Sequence, residues 1–378
     1  MNLASLTLVS IITLSGCRAD GSFRPDPNSG QIVWSVSAPA FGQPASDGIS
    51  VFFGSRAHEV RAVDRQTGQQ RWRVTTDSYS PATMNGFNVI LAGENVVFGD
   101  YVVYGFDRTS GARRWTFDPQ NQSIPGYGAG LYTLTTDGSL IFVGSGSGHA
   151  YAINAMDGTP AWIVTLASDD NTSVYDPVVD DRTVYFVVRH FTNPITGELV
   201  ALDRASGALR WSHVFPSEAP TGSGPLGRVA PFGDVVFVAN DDGKIYGFNK
   251  VTGAVQLTLP RRSDITGLDD SRSLTLAGST LIVGSNSFFV DAYDASTGAH
   301  LWEANAGQGS SGNNPMATDG TTVYVPYING SLGAIDVVTG RVRWVRTAPD
   351  GASYSVSPLV DDTLLFAPST KALVAMRK

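Results

Sequence analysis

Short apolar blocks recur along this chain, and each is entered through a tight-turn pair. The first four are ISVFFG after Asp47-Gly48, NVVFG after Gly93-Glu94, SLIFVG after Asp137-Gly138 and RTVYFVV after Asp180-Asp181. The other four are VVFVA after Gly233-Asp234, TLIVG after Gly278-Ser279, TTVYVP after Asp319-Gly320 and TLLFAP after Asp361-Asp362. β-Branched and aromatic residues fit a pleated strand, and Asp-Gly and its relatives tolerate the backbone of a hairpin turn. No stretch sustains helical periodicity. The pattern predicts strand A, hairpin turn, strand B, a glycine-rich loop and strand C in every unit.

A second feature follows each strand C. The pattern A-x-D-x-x-[ST]-G-x-x-x-W runs from Ala62 to Trp72, Ala201 to Trp211, Ala292 to Trp302 and Ala334 to Trp344. Looser copies end at Trp115, Trp162 and Leu257, and a partial copy, SGQIVW, ends at Trp34. The pivot glycines, from Gly30 to Gly340, are spaced 38, 43, 47, 49, 46, 45 and 42 residues apart. All 7 tryptophans stand four residues after such a glycine. Repeats of this length mark stacked or circular arrays. In the turn, the carboxylates of Asp64, Asp107, Asp203, Asp294 and Asp336 can accept backbone N–H groups two or three residues on, while the glycine supplies a positive φ. Trp34, Trp72, Trp115, Trp162, Trp211, Trp302 and Trp344 then plug the space between adjacent sheets.

Four short antiparallel strands repeated eight times predict an all-β, eight-bladed β-propeller. The last unit has strands near Tyr354–Val360, Leu364–Ala367 and Ala372–Met376, with no fourth strand after them. Residues Gln31–Val36 carry the spare Gly-Trp signature and are expected to complete that blade, which removes an exposed sheet edge.

Composition narrows the function. A formal charge of −8 leaves no electrostatic footprint for nucleic acid. The single cysteine allows no intrachain disulfide and no cysteine-built zinc site. It follows an apolar run, Leu3 to Leu14, that is too short to span a bilayer and fits a signal-peptide core. Leu14-Ser15-Gly16-Cys17 resembles the bacterial lipobox. That resemblance implies removal of residues 1–16, lipidation of Cys17, a polar tether over 17–28 and a propeller over 29–378. Arg18, in place of an aspartate, resembles outer-membrane sorting.

The tryptophan unit resembles the docking motif of quinoprotein-like (PQQ-type) eight-bladed propellers. The added lipobox makes the chain most similar to the propeller lipoproteins of the outer-membrane β-barrel assembly machinery. That resemblance implies a non-enzymatic, monomeric, periplasm-facing scaffold that binds envelope proteins, those of that machinery among them, with a lipid as its membrane contact. Dehydrogenases of the same fold are longer and carry insertions for the quinone and a calcium ion, so no cofactor is expected here. A ligand- or polysaccharide-binding sensor of the envelope is the alternative.

Other candidate chemistry has simpler explanations. The pairs Asp169-Asp170, Asp180-Asp181, Asp241-Asp242, Asp269-Asp270 and Asp361-Asp362 lack calcium-loop spacing, and three of them fall in predicted turns. Gly144 to Gly148 leads into a strand rather than a helix, so it reads as a flexible loop and not a phosphate cradle. His58, His149 and His300 occupy different positions in their units and form no ligand set.

The variable segments are Asp118–Gly130, Leu166–Tyr175, Arg189–Glu198, Phe215–Arg228, Pro260–Arg272 and Asn305–Asn314, all on the face opposite the short turns. Loops on a rigid scaffold concentrate binding, and tyrosine and arginine favour interface anchors. Tyr127, Tyr132, Tyr175, Phe191, Arg228, Arg261 and Arg262 sit in or beside them. The stretch Gly224-Pro225-Leu226-Gly227-Arg228 falls where the assembly-machinery lipoproteins present a partner-contacting loop, which implies a contact role for Leu226 and Arg228.

Overall fold

The computed structural model describes residues 28–378 apart from 56, 78–87, 100, 123–129, 168–170, 193–194, 216–224, 241, 260–270, 286–288, 306–314, 328 and 355. Within them lie eight four-stranded antiparallel sheets arranged as the blades of a propeller. Blade 1 is Ala40–Ser46, Ser50–Ser55, Glu59–Asp64 and Gln70–Thr75. Blades 2 to 7 repeat that order, strand A innermost and strand D outermost, and end with Val342–Thr347. Blade 8 takes Leu359–Val360, Leu364–Pro368 and Ala372–Arg377 from the C-terminal end, and its outer strand is Ile32–Ser37. Trp34 lies opposite Ala375 and Ser37 opposite Ala372 in that closing pair. The expected closure is therefore the observed one, although strand A of this blade shrinks to two residues, with Tyr354 joined to Ser369 by an isolated bridge.

Each tryptophan docks on the blade that follows its own. Six of the seven donate the indole N–H to a backbone carbonyl there, that of the residue just after the motif acid or its equivalent: Trp34 to Arg65 at 3.0 Å, Trp72 to Arg108 at 3.0 Å and Trp302 to Val337 at 2.7 Å among them. The next blade's glycine forms the floor of the slot. Gly68 has φ +70, and a methyl group added there would stand 2.8 Å from the Trp34 ring. A side chain at this glycine is thus excluded twice, by backbone conformation and by contact with the indole. The same stack closes the ring, since Gly30 sits against Trp344 and Arg346. Only blade 5 departs, where Leu257 and Leu259 fill the slot beneath Gly298. Eight hydrophobic clusters, each spanning a blade boundary, form the core, and the tryptophans in them are 7–9% exposed.

Gly144 to Gly148 is not the flexible loop expected from its composition. Ser145, Ser147 and His149 are buried, Val174 N–H donates to the Ser145 carbonyl at 2.9 Å, and Leu166 N–H donates to Gly148 at 2.9 Å. A methyl group at Gly144 or Gly148 would stand 2.1 Å from the Val174 oxygen or 2.4 Å from the Ala167 oxygen. Close backbone approach, not mobility, is what these glycines provide.

Candidate partner-binding surface

The motif acids are committed to their own turns. On the short-turn face, Asp64 Oδ1 accepts the backbone N–H groups of Gln66 and Thr67, both at 3.0 Å, and the Thr67 hydroxyl at 3.1 Å. Asp107, Asp203, Asp294 and Asp336 repeat this arrangement, as their spacing predicted. The second oxygen is gripped by an arginine one residue before the tryptophan: Arg71 at 2.6 Å, Arg210 at 2.7 Å, Arg343 at 2.6 Å, and Arg114. The recurring Arg-Trp dipeptide was the available signal for this contact, and it went unread.

These partners hold three carboxyls down to about 2. Arg71 contributes most at Asp64, the Ser110 N–H at Asp107 and Arg210 at Asp203. At Asp336 burial opposes the shift, but Arg343 and Thr339 outweigh it and the carboxyl still falls below its ordinary value. Such carboxylates are turn fittings, already saturated with donors. The paired acids follow suit. Asp180 and Asp361 accept N–H groups of their own hairpin turns, and Asp242 accepts the Lys244 N–H and, at 2.5 Å, the Tyr246 hydroxyl. Asp169-Asp170, Asp241 and Asp269-Asp270 lie outside the described residues. Among the described residues no group of three or more His, Cys, Asp or Glu could hold a metal ion.

The candidate contact residues that the structure describes are placed differently from the expectation. Leu226 and Arg228 are not in a free loop: strand A of blade 5 begins at Pro225, with Leu226 opposite Ala239 and a bulge between Leu226 and Ala230. Their side chains are outside what the structure describes, as are Tyr127, Arg261 and Arg262 entirely. Tyr175 also lies within a strand, Thr172–Val179, half-buried, its ring 4.4 Å from that of Tyr132. Burial raises the Tyr175 phenol above its ordinary value, and the neighbouring Tyr132 adds to the shift. The Tyr132 hydroxyl donates to Ser173 Oγ at 3.0 Å. Nearby, Phe191 is 46% exposed and the Arg189 guanidinium lies 5.9 Å from its ring centre. Tyr132, Tyr175, Arg189 and Phe191 thus lie together on blades 3 and 4, an aromatic and cationic combination suited to protein contact.

The ring encloses a cavity of about 500 Å³ on its axis, lined by the innermost strands of seven blades. PQQ, the cofactor of dehydrogenases with this fold, is a tricarboxylate quinone and needs cations or abundant free donors. Among the described residues lining the cavity there is no Arg, Lys, His, Asp or Glu. The hydroxyls of Thr136, Thr275 and Thr318 donate to the backbone carbonyls of Leu140, Met316 and Thr322 at 2.6, 2.9 and 2.9 Å. Asn88 is clamped in both directions to the Leu134 backbone. These residues do not fit the quinone.

The family described as "Outer membrane protein assembly factor BamB" matches residues 23–190, 99–290 and 181–377. A protein of that name from Yersinia pestis is 25% identical over 325 residues, covering 79% of this chain and 70% of the relative. A tetrathionate hydrolase of Acidithiobacillus ferrooxidans is 23% identical over 305 residues, 74% of this chain, which spans 53% of that enzyme's length. The crystal structure of BamB from Moraxella catarrhalis superimposes with a TM-score of 0.69 at 19% identity, covering 92% of this chain and 99% of that one. At that identity the superposition speaks for the fold alone.

Proposed function

The chain belongs to the family described as outer membrane protein assembly factor BamB, and from that membership we propose that it is a non-enzymatic scaffold in the assembly of β-barrel outer-membrane proteins. The observation that carries this reading is the contrast between the two candidate sites. The axial cavity has no charged lining among its described residues, whereas Tyr132, Tyr175, Arg189 and Phe191 gather an aromatic and cationic group at the surface of blades 3 and 4. Function therefore rests with a surface. Its partners are proteins of the envelope, the barrel-assembly machinery first among them. Tyr175 with its neighbours, Leu226, Arg228, Tyr127, Arg261 and Arg262 are its candidate contacts, and the ring works as a monomer.

The anchoring part of the proposal is a lipid on Cys17, with residues 17–28 as tether and the ring facing the periplasm at the outer membrane. Cys17→Ser should move the protein from the membrane pellet to the soluble envelope fraction, because the proposed acyl chains are what holds it on the bilayer. Sedimentation of the variant with membranes in high salt would contradict the anchor.

The competing reading is an enzyme, which the hydrolase relative keeps in view, or a quinone-binding member of the fold. A ligand that binds the native state raises its melting temperature in proportion to the logarithm of ligand concentration over Kd. PQQ with calcium should leave the melting temperature of the purified chain unchanged. A concentration-dependent rise would support the quinoprotein reading and sink the scaffold reading.

A further inference from the structure

Eight packed neighbours drawn from similar repeats raise the question of how each blade finds the correct one. The tryptophan and its glycine floor are nearly the same at every boundary, so they cannot specify order. Two other positions come in two kinds and can tell one kind of boundary from the other. One is the first residue of the A–B turn in each blade. The other is the residue just after the motif acid, or its equivalent, in the next blade.

Four boundaries carry an ion pair at these positions. Asp361 meets Arg65 at 2.6 Å, Asp319 meets Lys378 at 3.2 Å, Asp137 meets Arg204 at 3.3 Å and Asp180 meets Lys250 at 3.4 Å. In each case the acid serves two blades. Oδ1 accepts N–H groups of its own turn, as Asp361 does from Thr363 and Leu364 at 2.9 Å, while Oδ2 reaches across the boundary. A fifth boundary has the same residue types, Asp47 and Arg108, but there the guanidinium donates to the Gly93 carbonyl instead.

The remaining three boundaries carry an apolar pair at the same two positions. Ala92 and Ala155 share one hydrophobic cluster, Phe232 and Ala295 a second, and Ala277 and Val337 a third. No boundary sets an acid against an apolar residue, or a base against one. The four paired carboxylates are only 8, 13, 21 and 22% exposed. A mismatch would bury a charge without its partner, which is strongly unfavourable.

We infer that these two positions form a neighbour code that suppresses the packing of a charged blade edge against an apolar one, within a chain and between chains. A blade presenting Asp accepts a neighbour presenting Arg or Lys, and a blade presenting an apolar residue accepts an apolar one. Both boundaries of blade 8, the one blade closed without a continuous chain, carry the charged form.

The test converts one boundary to the other type in the full chain. Ala277→Asp alone and Val337→Arg alone each create a mismatch, and the double variant restores a match. Each single should lower the thermal midpoint by about 4 °C and raise the fraction of oligomer after refolding, measured by size exclusion. The double should recover most of both losses. The reciprocal set, Asp137→Ala, Arg204→Ala and their double, should follow the same rule with an apolar match. The code is overturned if the doubles lose as much as the sum of their singles. It is equally overturned if the singles lose stability with no rise in misassembled species, since the pairs would then be ordinary stabilising contacts.

Discussion

Replacing Trp72 with alanine will cost the ring about 3–5 kcal/mol, the range for removing a large aromatic side chain from a packed core. Trp72 is 8% exposed, packs 5.8 Å from Phe52 and lies on Gly111, whose added methyl group would come within 2.8 Å of the indole. Its N–H reaches the Arg108 carbonyl at 3.0 Å across the blade boundary. Truncation leaves a cavity between two sheets and frees an acceptor that the fold has shielded. Trp72→Phe keeps most of the ring and loses the donor, so its cost should be about 1 kcal/mol. Trp302, bonded to Val337 and stacked under Gly340, should behave in the same way. Thermal or denaturant unfolding of the three variants is the check. A Trp72→Ala protein that unfolds with the wild type would mean that the blades are held by something other than this stack.

Deletion of residues 29–36 should cost more than any single tryptophan, above about 5 kcal/mol, because it opens two boundaries at once. The segment supplies most of the outer strand of blade 8, including the register from Ile32 opposite Met376 to Val36 opposite Leu373. It also supplies Trp34, whose ring packs on Phe366 and under Gly68 and whose N–H bonds to Arg65. On its other side it supplies Gly30, the floor for Trp344, and the Ser29 carbonyl that accepts from Arg346 at 3.0 Å. Gly30 N–H donates to the Arg377 carbonyl at 2.8 Å, as Gly68 N–H does to Asp64, so this closing turn reproduces the continuous ones. The truncated chain should unfold at a clearly lower temperature and expose an unpaired edge along Ala372–Arg377. An unchanged midpoint would rule out the shared blade as the closure of the ring.

Much of this architecture was legible because its signals are local. Asp64, Thr67 and Gly68 act within one turn, and Trp72 four residues on has a fixed place in the adjoining strand. The direction of docking was less legible. Trp34 rests on Gly68, not on the Gly30 of its own motif, and that requires knowing that the next repeat is the spatial neighbour. Positions governed by contacts distant in sequence were misread. Gly144 and Gly148 look like flexible spacers, yet their sizes answer to Val174 and Ala167 in the following segment. Leu226 and Arg228, flanked by glycine and proline, look like a loop. Strand A of blade 5 nevertheless reaches them, with a bulge before Ala230 that absorbs the irregular register. The aromatic group of Tyr132 and Tyr175 lies in the same category, since its members are drawn from two blades.

The central claim is that the protein acts through its long-loop face on barrel-assembly proteins. The most direct test is recovery of partners by the full-length chain, crosslinked in the envelope and purified in mild detergent. The same recovery is made with Leu226→Ala/Arg228→Ala, with Arg261→Ala/Arg262→Ala and with substitutions on the short-turn face, each matched for melting temperature. Recovery of barrel-assembly proteins by the native chain, weakened by the long-loop variants and kept by the short-turn variants, is the predicted result. Recovery of no such protein, or a loss confined to the short-turn variants, would contradict it.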